Sequence, residues 1–117
     1  MKIVVVDSRH EYLLMEILFP LIGEVDLKLD FIPALIKISS QEMAASIINK
    51  YVNPEVKISV EKFVRLGNDY LVVVNEFLAD VPDNFIWKEI TEDFTSEEIY
   101  PPHVYKLVQL AKKKNII

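Results

Sequence analysis

The chain carries two histidines, His10 and His103, and no cysteine. Each histidine stands at the start of a predicted helix, and a metal or acid/base site would need them to converge with an acid such as Asp7. Nothing in their spacing requires that, and a histidine in a first helical turn is ordinarily a partly exposed polar residue. The absence of cysteine removes thiolate catalysis, disulfides and cysteine-ligated zinc together. Asp7-Ser8 directly follows an apolar strand, where α/β proteins often hold functional groups, although a helix cap is the favoured reading of the pair. Gly23 and Gly67 stand too far apart to form a phosphate-cradling loop. Glu92, Asp93, Glu97 and Glu98 could coordinate a hard cation, but their spacing does not follow a calcium loop, and a solvated acidic segment accounts for them. No catalytic residue, metal site or cofactor is therefore expected.

Chemistry of recognition is better represented. Phe85, Ile86 and Trp87 form an apolar triplet immediately after the turn Val81-Pro82-Asp83-Asn84. Such a triplet must either tuck into the core or stay available to a partner. Lys112, Lys113 and Lys114 end the last predicted helix, where cations compensate the negative end of the helix dipole. Together these six residues are the candidate partner-binding set.

The elements that would position these groups follow from periodicity. Lys2 to Val6 is a short β-branched run, the pattern of a central strand buried on both faces. Ser8-Arg9-His10-Glu11 has capping-box spacing ahead of the apolar run Tyr12 to Phe19, which predicts a buried helix stopped by Pro20. Glu24 to Phe31 alternates, with Val25, Leu27, Leu29 and Phe31 facing inward and Glu24, Asp26, Lys28 and Asp30 facing water. A further strand is predicted from Leu35 to Ile38. Ser39, with Glu42 reaching back, caps a helix that docks through Met43, Ala44, Ile47, Ile48 and Tyr51 and ends at Asn53-Pro54. Val56, Ile58 and Val60 alternate again, and the turn Leu66-Gly67-Asn68-Asp69 joins them in a hairpin to Tyr70 to Val74. Residues 91 to 98 are polar and acidic. Pro101-Pro102 opens a last helix with a stripe of Val104, Leu107, Val108 and Ala111, ending near Asn115.

These patterns predict one α+β domain over residues 1–117, with an N-terminal lobe of residues 1–66 and a β-rich C-terminal lobe of residues 67–117 that ends in a helix. Two or three helices are expected to cover one face of a mixed or antiparallel sheet of about five strands. A chain of 117 residues with 51% hydrophobic and 26% charged residues can bury one core and shows no compositional sign of disorder. The longest apolar run, Tyr12 to Ile22, is broken by Glu16 and Pro20 and is too short to cross a bilayer. The opening residues lack the length and cleavage site of a signal peptide, so a cytoplasmic location is expected. The net charge of −5 argues against strong direct nucleic-acid binding, and residues 67 to 117 carry most of it, with 5 lysines against 9 acids. Few glycines beside many Ile, Val, Lys and Glu residues would suit a heat-adapted source.

Residues 70 to 117 resemble the small B domain of the GINS replication proteins. Val74-Asn75-Glu76-Phe77-Leu78-Ala79-Asp80-Val81-Pro82-Asp83-Asn84-Phe85 looks like its opening strand and acidic Val-Pro turn. Phe94-Thr95-Ser96-Glu97-Glu98-Ile99-Tyr100-Pro101 looks like its phenylalanine, acidic turn and apolar approach to proline. The helix Val104 to Lys114 and the terminal Ile116-Ile117 complete the pattern. Glu97 replaces the family's usual turn glycine, and residues 1–66 do not look like its helical A domain. The resemblance implies a protein–protein interaction module, an accessory component of a DNA replication or nucleic-acid-processing complex whose partner is a protein of a larger assembly, and it leaves a homodimer open. The order of strand, Asp7-Ser8, capped helix at Ser39-Ser40, Gly67 and the Tyr70 to Val74 strand is also similar to small archaeal-virus ring nucleases that act on cyclic tetra-adenylate. That similarity implies, as the alternative, a nucleotide-binding or phosphodiester-cleaving α/β protein. The family's acid/base histidine is replaced here by Ser40, and its Arg-Leu-x-Glu element by Leu78-Ala79-Asp80, so the proton donor and phosphate-binding cation would be missing.

Overall fold

The computed structural model describes residues 1–18, 28–53, 55, 58–75, 81–90 and 102–114, and of Lys28 and residues 102–105 the backbone alone. The predicted features at residues 91–98, at Val25, Leu27 and Val56, at Leu78-Ala79-Asp80 and at Asn115 to Ile117 lie outside the described residues.

β1 (Lys2–Val6) is the central strand that its β-branched run predicts, with Ile3 to Val6 wholly buried. It pairs in parallel with β6 (Asp69–Val74) and antiparallel with β2 (Tyr12–Leu18). β5 (Val60–Leu66) flanks β6, and β7 (Phe85–Glu89) pairs with the outer side of β2. β3 (Lys28–Asp30) runs in along Glu16 to Leu18 of β2, the chain bends at Phe31, and β4 (Ile32–Pro33) leaves along Lys2 and Ile3 of β1. The chain thus wedges into the fork where β1 and β2 part. With α1 (Gln41–Val52) and α2 (Pro102–Lys113) it makes an α+β fold, which among the described residues is a mixed sheet of seven strands and two helices. Those strands outnumber the five or so that periodicity predicts, because β2, β4 and β7 stand where no strand is predicted, and β3 falls within the predicted Glu24 to Phe31 strand.

The two helices lie on opposite faces rather than sharing one. Ile3, Val5, Tyr70, Val72 and Val74 cluster with Ala44, Ile48 and Val52 of α1. Val4, Val6, Leu71 and Val73 cluster with Leu107, Val108 and Ala111 of α2. Central strands with continuous apolar runs, here Ile3 to Val6 and Tyr70 to Val74, need cover on both faces, since each buried Val or Leu contributes about 1.5–3 kcal/mol. The docking face of α1 is accordingly turned from the predicted one. Ala44, Ile48 and Val52 are buried, Met43 and Ile47 only partly so, and Tyr51 is exposed. The cap is Ser40, whose Oγ accepts the Met43 N–H at 3.1 Å; the Ser39 hydroxyl instead meets the Met43 sulfur at 3.7 Å.

Three further expectations are corrected. Tyr12 to Leu18 is a strand and not a helix, because the chain reverses into a hairpin at Asp7 instead of entering a helical turn. Leu35 to Ile38 forms no strand; both ends of the segment are tied, Ala34 N to Met1 O at 2.9 Å and Ile38 N to the Tyr70 hydroxyl at 3.1 Å. Asp30 is buried rather than wet, since it stands at the fork, where its Oδ2 pairs with Lys2 Nζ at 3.1 Å and its Oδ1 accepts the Phe31 N–H at 2.7 Å. The Gly67-Asn68 hairpin turn is present as predicted, with Gly67 at φ +61°, a conformation that a side chain would disfavour.

Candidate functional site

Two surface features could engage another molecule. The first is an apolar groove of about 390 Å³ lined by Pro33, Leu35, Ile36, Ile47, Lys50 and Tyr51. Its wall is made by the tied segment. With Ala34 and Ile38 held in the core, the residues between them bow outward, leaving Leu35 86% and Ile36 54% exposed. A lone exposed leucine is ordinary, but two adjacent aliphatic side chains at the apex of a pinned loop, beside a groove, form a patch. Tyr51 closes the far side. Its hydroxyl donates to Glu16 Oε2 at 2.7 Å, and its ring meets Phe85 edge-on at 5.9 Å between centroids. Partial burial, followed by the hydrogen bond to Glu16 and the negative charges of Glu16 and Asp30, pushes the Tyr51 phenol up to about 12. At neutral pH it is therefore a fixed, uncharged wall. Exposed Lys50 is among the lining residues, and exposed Lys37 follows Ile36 in the chain.

The second feature lies at the adjacent carboxyl ends of β1 and β6, where Asp7 and Asn75 leave the sheet side by side. A cleft of about 520 Å³ there is lined by Asp7, Ser8, Arg9, Glu11, Tyr12 and Asn75. Asp7 is 2% exposed and organises the loop: its Oδ1 accepts the N–H groups of Glu11 and Tyr12, both at 2.8 Å, and its Oδ2 that of Arg9 at 3.3 Å. The His10 N–H donates to the Asp7 carbonyl at 3.0 Å, and His10 sits at φ +58°. Asp7 is thus a cap, as favoured, but of a hairpin loop and not of a helix, and His10 is on that loop rather than at a helix start.

The predicted partner-binding residues are divided by the fold. The β7 pleat sends Phe85 into the core on the α1 face, where Trp87 packs half-buried. Ile86, 40% exposed, points to the other face, across from Met15. Lys112 is half-buried, and Lys113 and Lys114 are exposed at the end of α2. The triplet is therefore not one continuous patch, although Phe85 backs the groove through Tyr51.

His103 lies in the first turn of α2. Among the described residues no group of three or more His, Asp or Glu side chains converges as a metal site. No helix among them is long and apolar enough to cross a membrane. Ser40 is committed to its helix cap, its Oγ accepting the Met43 N–H. Leu35 and Ile36 escaped sequence reasoning because an apolar pair before a helix reads equally well as a buried strand, and only the tied ends Ala34 and Ile38 reveal the outward bow. Comparison with protein-family models, with curated proteins and with solved structures gives no significant match to this chain.

Proposed function

We propose that this chain is a non-catalytic protein–protein interaction module, an accessory component of a DNA replication or other nucleic-acid-processing complex. The observation that carries the first part is the Leu35–Ile36 apex beside its apolar groove. Exposing two large aliphatic side chains on a segment whose ends are fixed forgoes burial of about 1.5–3 kcal/mol each, a cost that a partner's surface removes. The assignment to a replication or nucleic-acid assembly rests on the resemblance of residues 70–117 to the GINS B domain. The occupant that fits is a protein segment with an apolar side chain for the groove and acidic neighbours for Lys37 and Lys50, in keeping with interfaces that have an apolar centre and a charged rim. Phe85 supports that surface from beneath, while Ile86 and the lysines Lys112, Lys113 and Lys114 belong to the opposite face and would contact a different part of the same assembly.

The test is photo-crosslinking in the native source, with a benzophenone amino acid placed at Leu35, at Ile86 or, as control, at Glu61 on the β5 edge. A discrete heterologous adduct from position 35, lost when Ile36 and Ile47 are changed to Ser, is the expected result. An adduct no stronger at position 35 than at position 61 contradicts the proposal, as does turnover of a cyclic oligoadenylate by the purified protein.

A further inference from the structure

The cleft between the Asp7 loop and Asn75 has an unusual charge arrangement. Arg9 and Glu11 both line it, both are exposed, and neither forms an ion pair among the described residues. The Asp7 carboxylate is committed to three backbone N–H groups, and the loop's N–H groups at residues 9 to 12 all turn inward to Asp7. The cleft therefore presents side chains, not a nest of amides: one guanidinium and one carboxylate, with the Ser8 hydroxyl and the Asn75 carboxamide beside them. The loop that carries them is organised around Asp7, whose carbonyl accepts the N–H of the left-handed His10 while its carboxylate accepts those of Arg9, Glu11 and Tyr12. Its place at the carboxyl ends of two adjacent parallel strands is where open sheets bind small molecules, and about 520 Å³ is within the size range of such sites.

We infer that this cleft is a binding site for a small zwitterion of the α-amino-acid type. A phosphate dianion gains from Arg9 but is repelled by Glu11 and by buried Asp7; a simple cation meets the reverse problem at Arg9. A molecule carrying both charges matches both groups: its carboxylate takes the guanidinium fork bidentately, and its ammonium donates to Glu11. Asn75 and Ser8 supply the remaining donors and acceptors, and the volume beyond the head group accommodates a side chain.

The experiment adds each of the twenty L-amino acids singly to ¹⁵N-labelled full-length protein and follows the backbone amides of residues 8–12 and 75. Acetate, ethylammonium and inorganic phosphate serve as half-ligand controls. The expected result is saturable movement of those amides with at least one amino acid, in the millimolar range or tighter, with each half-ligand weaker. Arg9→Gln and Glu11→Gln should each weaken that binding about tenfold or more, and Lys62→Gln on β5 should not. Neither lining substitution removes a hydrogen bond that shapes the loop, so both variants should keep the wild-type spectrum elsewhere. The inference is overturned if no amino acid moves these resonances saturably, if phosphate or acetate alone binds as tightly, or if the two lining variants bind like wild type.

Discussion

Replacing Asp7 by Ala removes the acceptor around which the β1–β2 hairpin is built. Two of its bonds are short, to Glu11 N and Tyr12 N at 2.8 Å each, and the third, to Arg9 N, is long at 3.3 Å. A hydrogen bond to a charged group contributes about 1.5–3 kcal/mol, so the two short bonds alone predict a loss of about 3 kcal/mol or more in Asp7→Ala. Asp7→Asn keeps an oxygen that can accept both short bonds but lacks the charge and the second acceptor, so its loss should be about 1–2 kcal/mol. Urea unfolding followed by far-ultraviolet circular dichroism reads both values, provided the denaturant slope is unchanged. The reasoning also requires local release of the loop, visible as faster hydrogen exchange at Glu11 and Tyr12 in Asp7→Ala. An Asp7→Ala protein within about 0.5 kcal/mol of wild type, the ordinary range of a surface change, would refute the role assigned to this carboxylate.

Other perturbations probe the helix face, the hairpin and the groove wall. Ile48 is wholly buried under α1 whereas Ile47 is only partly covered, so Ile48→Ala should cost about 2–5 kcal/mol and Ile47→Ala clearly less; equal shifts in thermal midpoint would mean that the face is misassigned. Gly67 is at φ +61° and has open space where a Cβ would stand, so Gly67→Ala should lose about 1 kcal/mol through backbone strain alone and Gly67→Asn less, by urea unfolding. Tyr51 should ionise near pH 12 in ultraviolet titration, and Glu16→Gln should lower that midpoint without returning it fully to 10, because burial remains. Since the folded phenol holds its proton more tightly than the unfolded one, its contribution to stability is complete below about pH 10 and is lost as pH rises through about 12.

The parts of the fold legible in the sequence are those with one dominant local signal. The β-branched run of β1, the Gly67-Asn68 turn and the amphipathic periods of α1 and α2 each specify their element. Tyr12 to Leu18 was illegible because a continuous apolar run fits a buried strand and a buried helix equally, and the Ser8 to Glu11 spacing imitates a capping box. The deciding interaction, three N–H groups on one aspartate, involves geometry that residue order does not display. Cover on both faces was implied by the continuous apolar runs Ile3 to Val6 and Tyr70 to Val74, yet which helix takes which face depends on the chain's route. For the sites, Asp7-Ser8 after a strand pointed to the cleft, whereas Arg9, Glu11 and Asn75 come together only through the parallel pairing of β1 with β6. The groove depends on Leu35 and Ile36 being held out of the core by their neighbours, a property of tertiary hydrogen bonds.

The central claim, recognition of a protein partner through the Leu35–Ile36 groove, is tested most directly by the dissociation constant for the crosslinked partner, measured by calorimetry with wild type and with the double variant Leu35→Ser/Ile36→Ser. Both side chains are exposed in the free protein, so the variant should unfold at the wild-type urea concentration. The predicted result is affinity weakened at least tenfold, about 1.4 kcal/mol, at that unchanged stability. An unchanged dissociation constant would contradict the account.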